Sequence, residues 1–258
     1  MAPTLHDDIV ERLGMAIVTG EYAPGHVLTM ERLCTDQAVS RTVAREAVQV
    51  LQSMRLVSSR RRTGVTVQPF HRWNVFDPSV IRWRLAGPER ASQLRQLTEL
   101  RAAIEPPAAA SAASAAAQIP DSHRRRLSEL AVLLEETGYQ GHLDTFLDHD
   151  VEFHQLVLES SGNDMFAGLS EVVEAVLRGR TYHHLMPQRP KPEARRLHSV
   201  VADAICGGEP EVAHAAMTAI VAEVVTEVSH LDGAYGSGPH PYETQLEEIP
   251  EQDADQED

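Results

Sequence analysis

Cysteine is scarce. Cys34 and Cys206 are the two in 258 residues, far apart and without CxxC spacing, which argues against a disulfide scaffold or a cysteine-rich zinc module and leaves two ordinary thiols. No window of eighteen uninterrupted apolar residues occurs, and the first thirty residues mix acids, His and Gly with apolar positions rather than forming a signal-peptide core. A cytoplasmic, soluble chain that does not enter the membrane is therefore expected. Alternating, strand-like runs are rare as well. Lys and Arg are missing from Leu231 to Asp258, which holds nine acids, several Gly and Pro and little apolar periodicity; this tail is expected to be disordered. Acid, in turn, is nearly missing from Ser40 to Pro69, where six arginines face one glutamate. Setting the tail's nine acids apart from a formal charge of −15 leaves about −6, while Ala38 to Arg72, with seven Arg against Glu46, is locally +6.

What is present is mostly helix, over a length that suits two modest domains. The first helices are expected at Asp7 to about Thr19, closed by Gly20; at Met30 to about Gln37; and from Ser40, as N-cap, to Met54. The stretch "LVSSRRRTGVTV", Leu56 to Val67, pairs two β-prone runs around an Arg-rich turn ending in Gly64 and predicts a hairpin. Three helices and a hairpin make a winged helix-turn-helix. In the third helix Val43, Ala47, Val50, Leu51 and Met54 share one face, and Arg41, Arg45, Gln49 and Gln52 the opposite one. Arg can fork onto guanine and Gln onto adenine, so this row suits a major groove. Arg60, Arg61 and Arg62 at the hairpin tip would contact phosphates or the minor groove. A solvated Arg-bearing helix beside a charged loop is the bland alternative for either feature alone.

From Ile17 to Val67 the chain resembles the DNA-binding domain of the GntR family, with a "G.Y.PG" turn at Gly20 to Gly25, an "SR..REA...L" recognition helix and a wing. The resemblance implies operator contacts at Ser40, Arg41, Thr42 and Arg45, and makes Gly64 the glycine of the wing. One departure is Glu31, which stands ten residues before Arg41 where the family often has a contacting Arg.

Beyond Asp77, Pro78 opens a short helix after an extended linker. Amphipathic segments follow at roughly Glu89 to Gln118, Asp121 to Thr137, His142 to Ser160, Asp164 to His184, Pro192 to Cys206 and Glu209 to His230. Pro106 and Pro107 should kink or split the first of these. Its "AAASAASAAAQ" run predicts close helix packing.

Polar residues on apolar faces are costly to bury unless they bind something. Asp150 and His154 sit one turn apart within a stripe of Leu143, Phe146, Leu147, Phe153 and Val157. His198 shares a stripe with Leu197, Val201 and Ile205; Arg101 shares one with Leu94, Leu97 and Ile104; Arg180 follows Leu169, Val173 and Val176. A carboxylate and imidazole at i and i+4, joined by an imidazole from another helix, can hold a divalent metal such as zinc with positions left open. Buried arginines nearby would suit a carboxylate. The alternatives are an Asp–His hydrogen bond in the core and an Arg101–Glu105 ion pair within one helix.

The segments "ELRAAIEP", "DHDVEFHQLVLESSGN" and "LHSVVADAICGGEPEVAHAAM" resemble the FCD effector-binding domain of the family's FadR-type branch, over about Arg90 to Ser229. Members commonly place a divalent metal on an Asp, a His one turn later, a His of a third helix and a last His twenty-two residues beyond. Asp150, His154 and His198 match the first three, and Ile220 replaces the fourth. Glu223 is a weak substitute one turn on. The "WNVFDPSVIRW" linker, Ile220 and "GRTYHH" are similar to the galactonate-responsive repressors of this branch. That likeness implies a sugar acid as effector, engaging the metal position, Arg101, Arg180 and also Thr181 or Tyr182.

The expected architecture is mainly α: a winged helix-turn-helix over residues 1–70, a linker with a short helix over 71–88, an all-α FCD-like bundle for effector binding and dimerisation over 89–230, and the acidic tail over 231–258. The expected function is a homodimeric, operator-binding transcription regulator, a repressor controlled by a small carboxylate, and not an enzyme. The competing readings are a metal-dependent enzyme on Asp150, His154 and His198 and a DNA-binding protein with no ligand. Against the enzyme, no clear general base or nucleophile stands beside that cluster.

Overall fold

The computed structural model describes residues 5–60, 64–182 and 191–229. Helices α1 (Leu5–Val18), α2 (Met30–Asp36) and α3 (Arg41–Ser53) precede a hairpin of β2 (Val57–Arg60) and β3 (Gly64–Val67). The ends of α3 follow from local chemistry: the Ser40 hydroxyl accepts the Val43 N–H at 3.3 Å, filling one of the donors that a helix start leaves open. The hairpin gains a strand that alternation could not reveal, because β1 (Val27–Leu28) has two residues. It pairs antiparallel with β3, Val27 opposite Thr66 and Leu28 opposite Val65, giving the order β1-β3-β2. Gly64 is required at this seam. Its φ is +90°, and a Cβ there would stand 2.8 Å from the Leu28 carbonyl oxygen.

Ile9, Leu13 and Ile17 of α1, Leu33 of α2, Ala44, Ala47, Val48 and Leu51 of α3 and Val65 and Val67 of β3 form the core of this part. Ala44 and Val48 widen the face expected from Val43, Ala47, Val50, Leu51 and Met54, whose Val43 and Val50 are partly buried. Trp73, after a single 3₁₀ turn at Phe70–Arg72, closes the core and donates its indole N–H to the Gln68 carbonyl at 2.8 Å.

Helix α4 (Pro78–Ala86) starts as its sequence predicts, with Pro78 in the first turn, and the structure adds Asp77 as N-cap, accepting from the Ser79 and Val80 N–H groups. Its two faces serve different cores: Val80 and Trp83 join the N-terminal one, and Ile81 and Leu85 pack with Leu94, Leu97, Val172 and Val176. Trp83 lies so close to α1 that a Cβ on Gly14 would come within 2.1 Å of its ring.

The remaining helices are α5 (Arg90–Ser114), α6 (Asp121–Gln140), α7 (Leu143–Ser160), α8 (Asp164–Ala167), α9 (Ser170–Tyr182), α10 (Pro192–Gly207) and α11 (Pro210–Ser229). One expectation is narrowed and another corrected. Pro106 and Pro107 do not split α5, which runs through both. The carbonyls deprived of partners are those of Ala102 and Ala103, two exposed residues, where water can replace the lost N–H. The segment from Asp164 is two helices, broken at Gly168 and Leu169, with α8 capped by the Asn163 side chain on the Met165 N–H. The alanine run packs closely as expected: Ala108, Ala109, Ala112 and Ala113 are fully buried. The last three of these join Leu127, Leu130, Leu134, Phe146, Phe153, Val157, Val201, Ile205 and Met217 in the main core of the bundle. Among the described residues no helix is long and apolar enough to cross a membrane. The tail 231–258 lies outside the described residues.

Candidate functional site

Two regions carry the polar chemistry. In the first, α3 turns Arg41, Thr42, Arg45 and Gln49 to the surface while Ala44, Ala47, Val48 and Leu51 anchor its other side. Ser40 is exposed and has its hydroxyl committed to capping. Gln52 is half-buried, nearer the base of the wing. Arg60 ends β2, and Arg61 and Arg62 lie outside the described residues.

The second region is buried. Arg101 and Glu105 come from α5, Asp150 and His154 from α7 and His198 from α10, and none of the five is more than 5% exposed. The helical register brings Arg101 over Glu105, one turn on, with Nε to Oε1 at 2.5 Å and Nη2 to Oε2 at 3.2 Å. The same Oε2 stands 2.6 Å from Nδ1 of His154 across the α5–α7 seam, a short approach whose N–H is not aimed straight at the oxygen. On the ring's far side Nε2 is 3.6 Å from Asp150 Oδ1, and that oxygen is 3.1 Å from His198 Nε2. Phe153 walls the group, its ring edge-to-face with both imidazoles at 5.1 and 5.9 Å. Arg101 Nη1 is buried and has no hydrogen-bond partner among the described residues.

The electrostatics follow from these neighbours. Burial alone would raise the Glu105 pKa, but Arg101 and His154 outweigh it and bring it down to about 2. Burial would also raise Asp150, and the two imidazoles hold it well below the ordinary carboxylate range instead. For His154 burial works downward, as does the charge of Arg101 at 3.4 Å from Nε2; Glu105 and Asp150 prevail and push it up to about 9. Without a metal the cluster is a self-balanced set of buried charges.

The donor set fits a divalent cation. One ligand atom each from Asp150, His154 and His198 lies within 4.8 Å of the other two. Donors around a tetrahedral zinc stand roughly 3.3 Å apart, near the 3.1 and 3.6 Å separations of the Asp150 oxygen from the two imidazoles. A carboxylate on the opposite nitrogen of a metal-binding His is the usual outer support, and Glu105 holds that place on His154. Ile220 is packed in the main core, so its position supplies no ligand atom. The side chain of Glu223 lies outside what is described.

The structure thus brings Arg101, Asp150, His154 and His198 together. Arg180 is also buried, one turn beyond Leu177, which packs with Ile104, Ala108, Leu147 and Val151 between α5 and α7. Thr181 is half-buried and donates its hydroxyl to the Leu177 carbonyl at 3.1 Å. Tyr182 does not join them: it is 63% exposed and lines a surface groove of about 330 Å³ with Pro78 and Arg82 of α4 and Glu174 and Arg178 of α9. Glu105, legible in sequence as a partner for Arg101, serves His154 as well.

Residues 5–67 match the family described as "Bacterial regulatory proteins, gntR family", and residues 96–223 match the FCD domain. The galactonate operon transcriptional repressor of Escherichia coli is 30% identical over 224 residues, 84% of this chain and 93% of that protein. The chain belongs to the GntR family. A second Escherichia coli relative, the HTH-type transcriptional regulator YieP, is 27% identical over 83% of this chain and 90% of its own length. The solved structure of Lar, which controls expression of the agr system of Listeria monocytogenes, shares the fold with a TM-score of 0.56 at 18% identity, over 90% of this chain and 99% of that one. As a GntR regulator with an FCD domain, the protein regulates transcription and is not an enzyme. Regulators of this kind bind operator DNA through the first domain and a small-molecule effector through the second.

Proposed function

We propose that the protein is a repressor that binds its operator as a homodimer and leaves it when a small carboxylate, a sugar acid, occupies the Arg101–His198 cluster. The division of labour follows the chain: residues 1–70 read DNA, 71–88 connect, 89–230 sense and dimerise, and dimerisation does not need the acidic tail. Working on operators places the protein in the cytoplasm. The observation that carries the reading is a fully buried guanidinium whose Nη1 has no partner, beside three side chains with metal-ligand geometry. A buried arginine left with a free N–H is costly unless an anion completes it. The Escherichia coli relative is named for a galactonate operon, and galactonate offers one carboxylate and a row of hydroxyls.

In this reading Arg101 binds the effector carboxylate, and Asp150, His154 and His198 hold a divalent ion such as zinc. Bound there, the ion supplies a Lewis-acidic centre for an effector oxygen. Arg180 and Thr181 complete the effector side, and Tyr182 contributes only if α9 moves. Because the cluster is closed, an effector must part the helices that cover it, which links occupancy to the shape of the bundle. On the DNA side Ser40, Arg41, Thr42, Arg45 and Gln49 meet the major groove, and Arg60, Arg61, Arg62 and Gly64 place the wing on the backbone. A thermal-shift screen over sugar acids, with and without chelator, followed by operator release with each hit, tests this. A sugar acid that stabilises the protein and dissociates it from operator is the expected result; stabilisation by none would refute the effector class.

A further inference from the structure

We propose that Glu105 is a positioning residue that ties the metal-ligand half of the site to its anion-binding half. The inference rests on the metal reading above and deepens it. A single carboxylate, fully buried, makes three contacts: Oε1 with Arg101 Nε, Oε2 with Arg101 Nη2, and Oε2 with His154 Nδ1. Each of them fixes something the site needs. A carboxylate 2.6 Å from Nδ1 favours the proton on that nitrogen and leaves Nε2 to face Asp150 Oδ1, the orientation in which His154 can share an ion with Asp150 and His198. Taking Nε and Nη2 of Arg101 uses up one edge of the guanidinium and leaves Nη1 without a partner among the described residues. The anion receptor and the metal ligand are thereby oriented by one group, and a displacement of either reaches the other through a side chain that has no water to turn to. The competing role for Glu105 is merely to balance the buried charge of Arg101.

Cobalt titration of the full-length, chelator-treated protein separates the two roles. Four proteins are compared: wild type, Glu105→Gln, Arg101→Met, and the double variant, with thermal melting to confirm folding. Carboxylate supports of this kind change metal affinity by about 10- to 100-fold. Glu105→Gln is therefore expected to weaken cobalt binding at least about tenfold and to shift the visible cobalt bands at saturation, with Arg101 present and also in the Arg101→Met background. If the single Glu105→Gln protein does not fold, the Arg101→Met pair decides at a temperature where melting shows both folded, since no unpaired guanidinium is buried there and Glu105, where present, keeps His154 as its cation. Weakening confined to the proteins that retain Arg101 would show simple charge balance and overturn the inference. Cobalt affinity within about twofold across all four would overturn it while leaving the metal reading intact. A wild type that takes up no cobalt would end both.

Discussion

Arg101 and Glu105 stand or fall together, because removing the arginine leaves a carboxylate fully buried with a single cation beside it. Arg101→Ala is thus expected to lower stability by about 3–5 kcal/mol and to confuse misfolding with loss of sensing. Arg101→Lys is the informative change: it keeps a charge near Glu105 and removes the free Nη1. Its expected phenotype is wild-type operator affinity with no release by effector, checked by operator binding across an effector titration. The cluster also sets a pH signature in chelator-treated protein. His154 has a folded pKa of about 9 against 6.5 for an ordinary histidine, so its stabilisation is complete below about pH 6.5 and fades as pH rises through about 9. Glu105 works in the opposite sense: its contribution is complete above about pH 4.5 and is lost as pH falls through about 2. Urea unfolding should therefore show the metal-free protein most stable between those limits, with a loss of order 3 kcal/mol on the alkaline side. A His154→Gln variant should lack that alkaline loss.

At the level of elements, the recognition helix is expected to divide its labour by face. Arg41→Ala or Arg45→Ala should cost about 1–3 kcal/mol at the specific operator and relax base choice, whereas changes at Arg60, Arg61 and Arg62 should weaken all sequences alike and lower the salt slope by about 0.9 for each phosphate no longer neutralised. Fluorescence anisotropy against cognate and scrambled DNA at several salt concentrations distinguishes the two. The packing of α1 on α4 gives a further test. A Cβ on Gly14 would strike the Trp83 ring at 2.1 Å. Alanine gains up to about 1 kcal/mol of helix propensity over glycine, but overpacking costs about 1–3, so Gly14→Ala should be net destabilising in thermal melts. Much of this was legible in the sequence. The stripes that bury Arg101, Asp150, His154 and His198 follow from the 3.6-residue period, and Ser40 as cap and Pro78 in the first turn announce their helices. Period says which side of a helix faces inward and nothing about which neighbour it meets. The reach of Glu105 from α5 to His154 and the outward turn of Tyr182 therefore emerge only with the packing. Two-residue β1 is too short to show alternation, and the passage of α5 through two prolines depends on Ala102 and Ala103 being exposed, a tertiary property.

For the molecule as a whole, one recognition helix reads too few base pairs, and a two-fold dimer is expected to read a pseudo-palindrome. Sedimentation of a chain ending near Leu231 should still give a dimer at micromolar concentration; a monomer would contradict both the assembly and the dispensable tail. Linkage requires operator and effector to weaken one another by the same factor, commonly about 1–3 kcal/mol, measurable by effector titration with and without operator. The placement of α4 bears on how such a protein can be recombined. Val80 and Trp83 complete the DNA-reading core, while Ile81 and Leu85 complete the sensing one. A graft that joins this reader to a relative's sensor therefore has no neutral seam. Cutting before α4 opens a hole over Gly14, and cutting after it leaves the foreign sensor to fit Ile81 and Leu85. Four side chains of this nine-residue helix answer to two cores at once, so exchange of sensors among such regulators should succeed chiefly where the donor and recipient agree along this one helix.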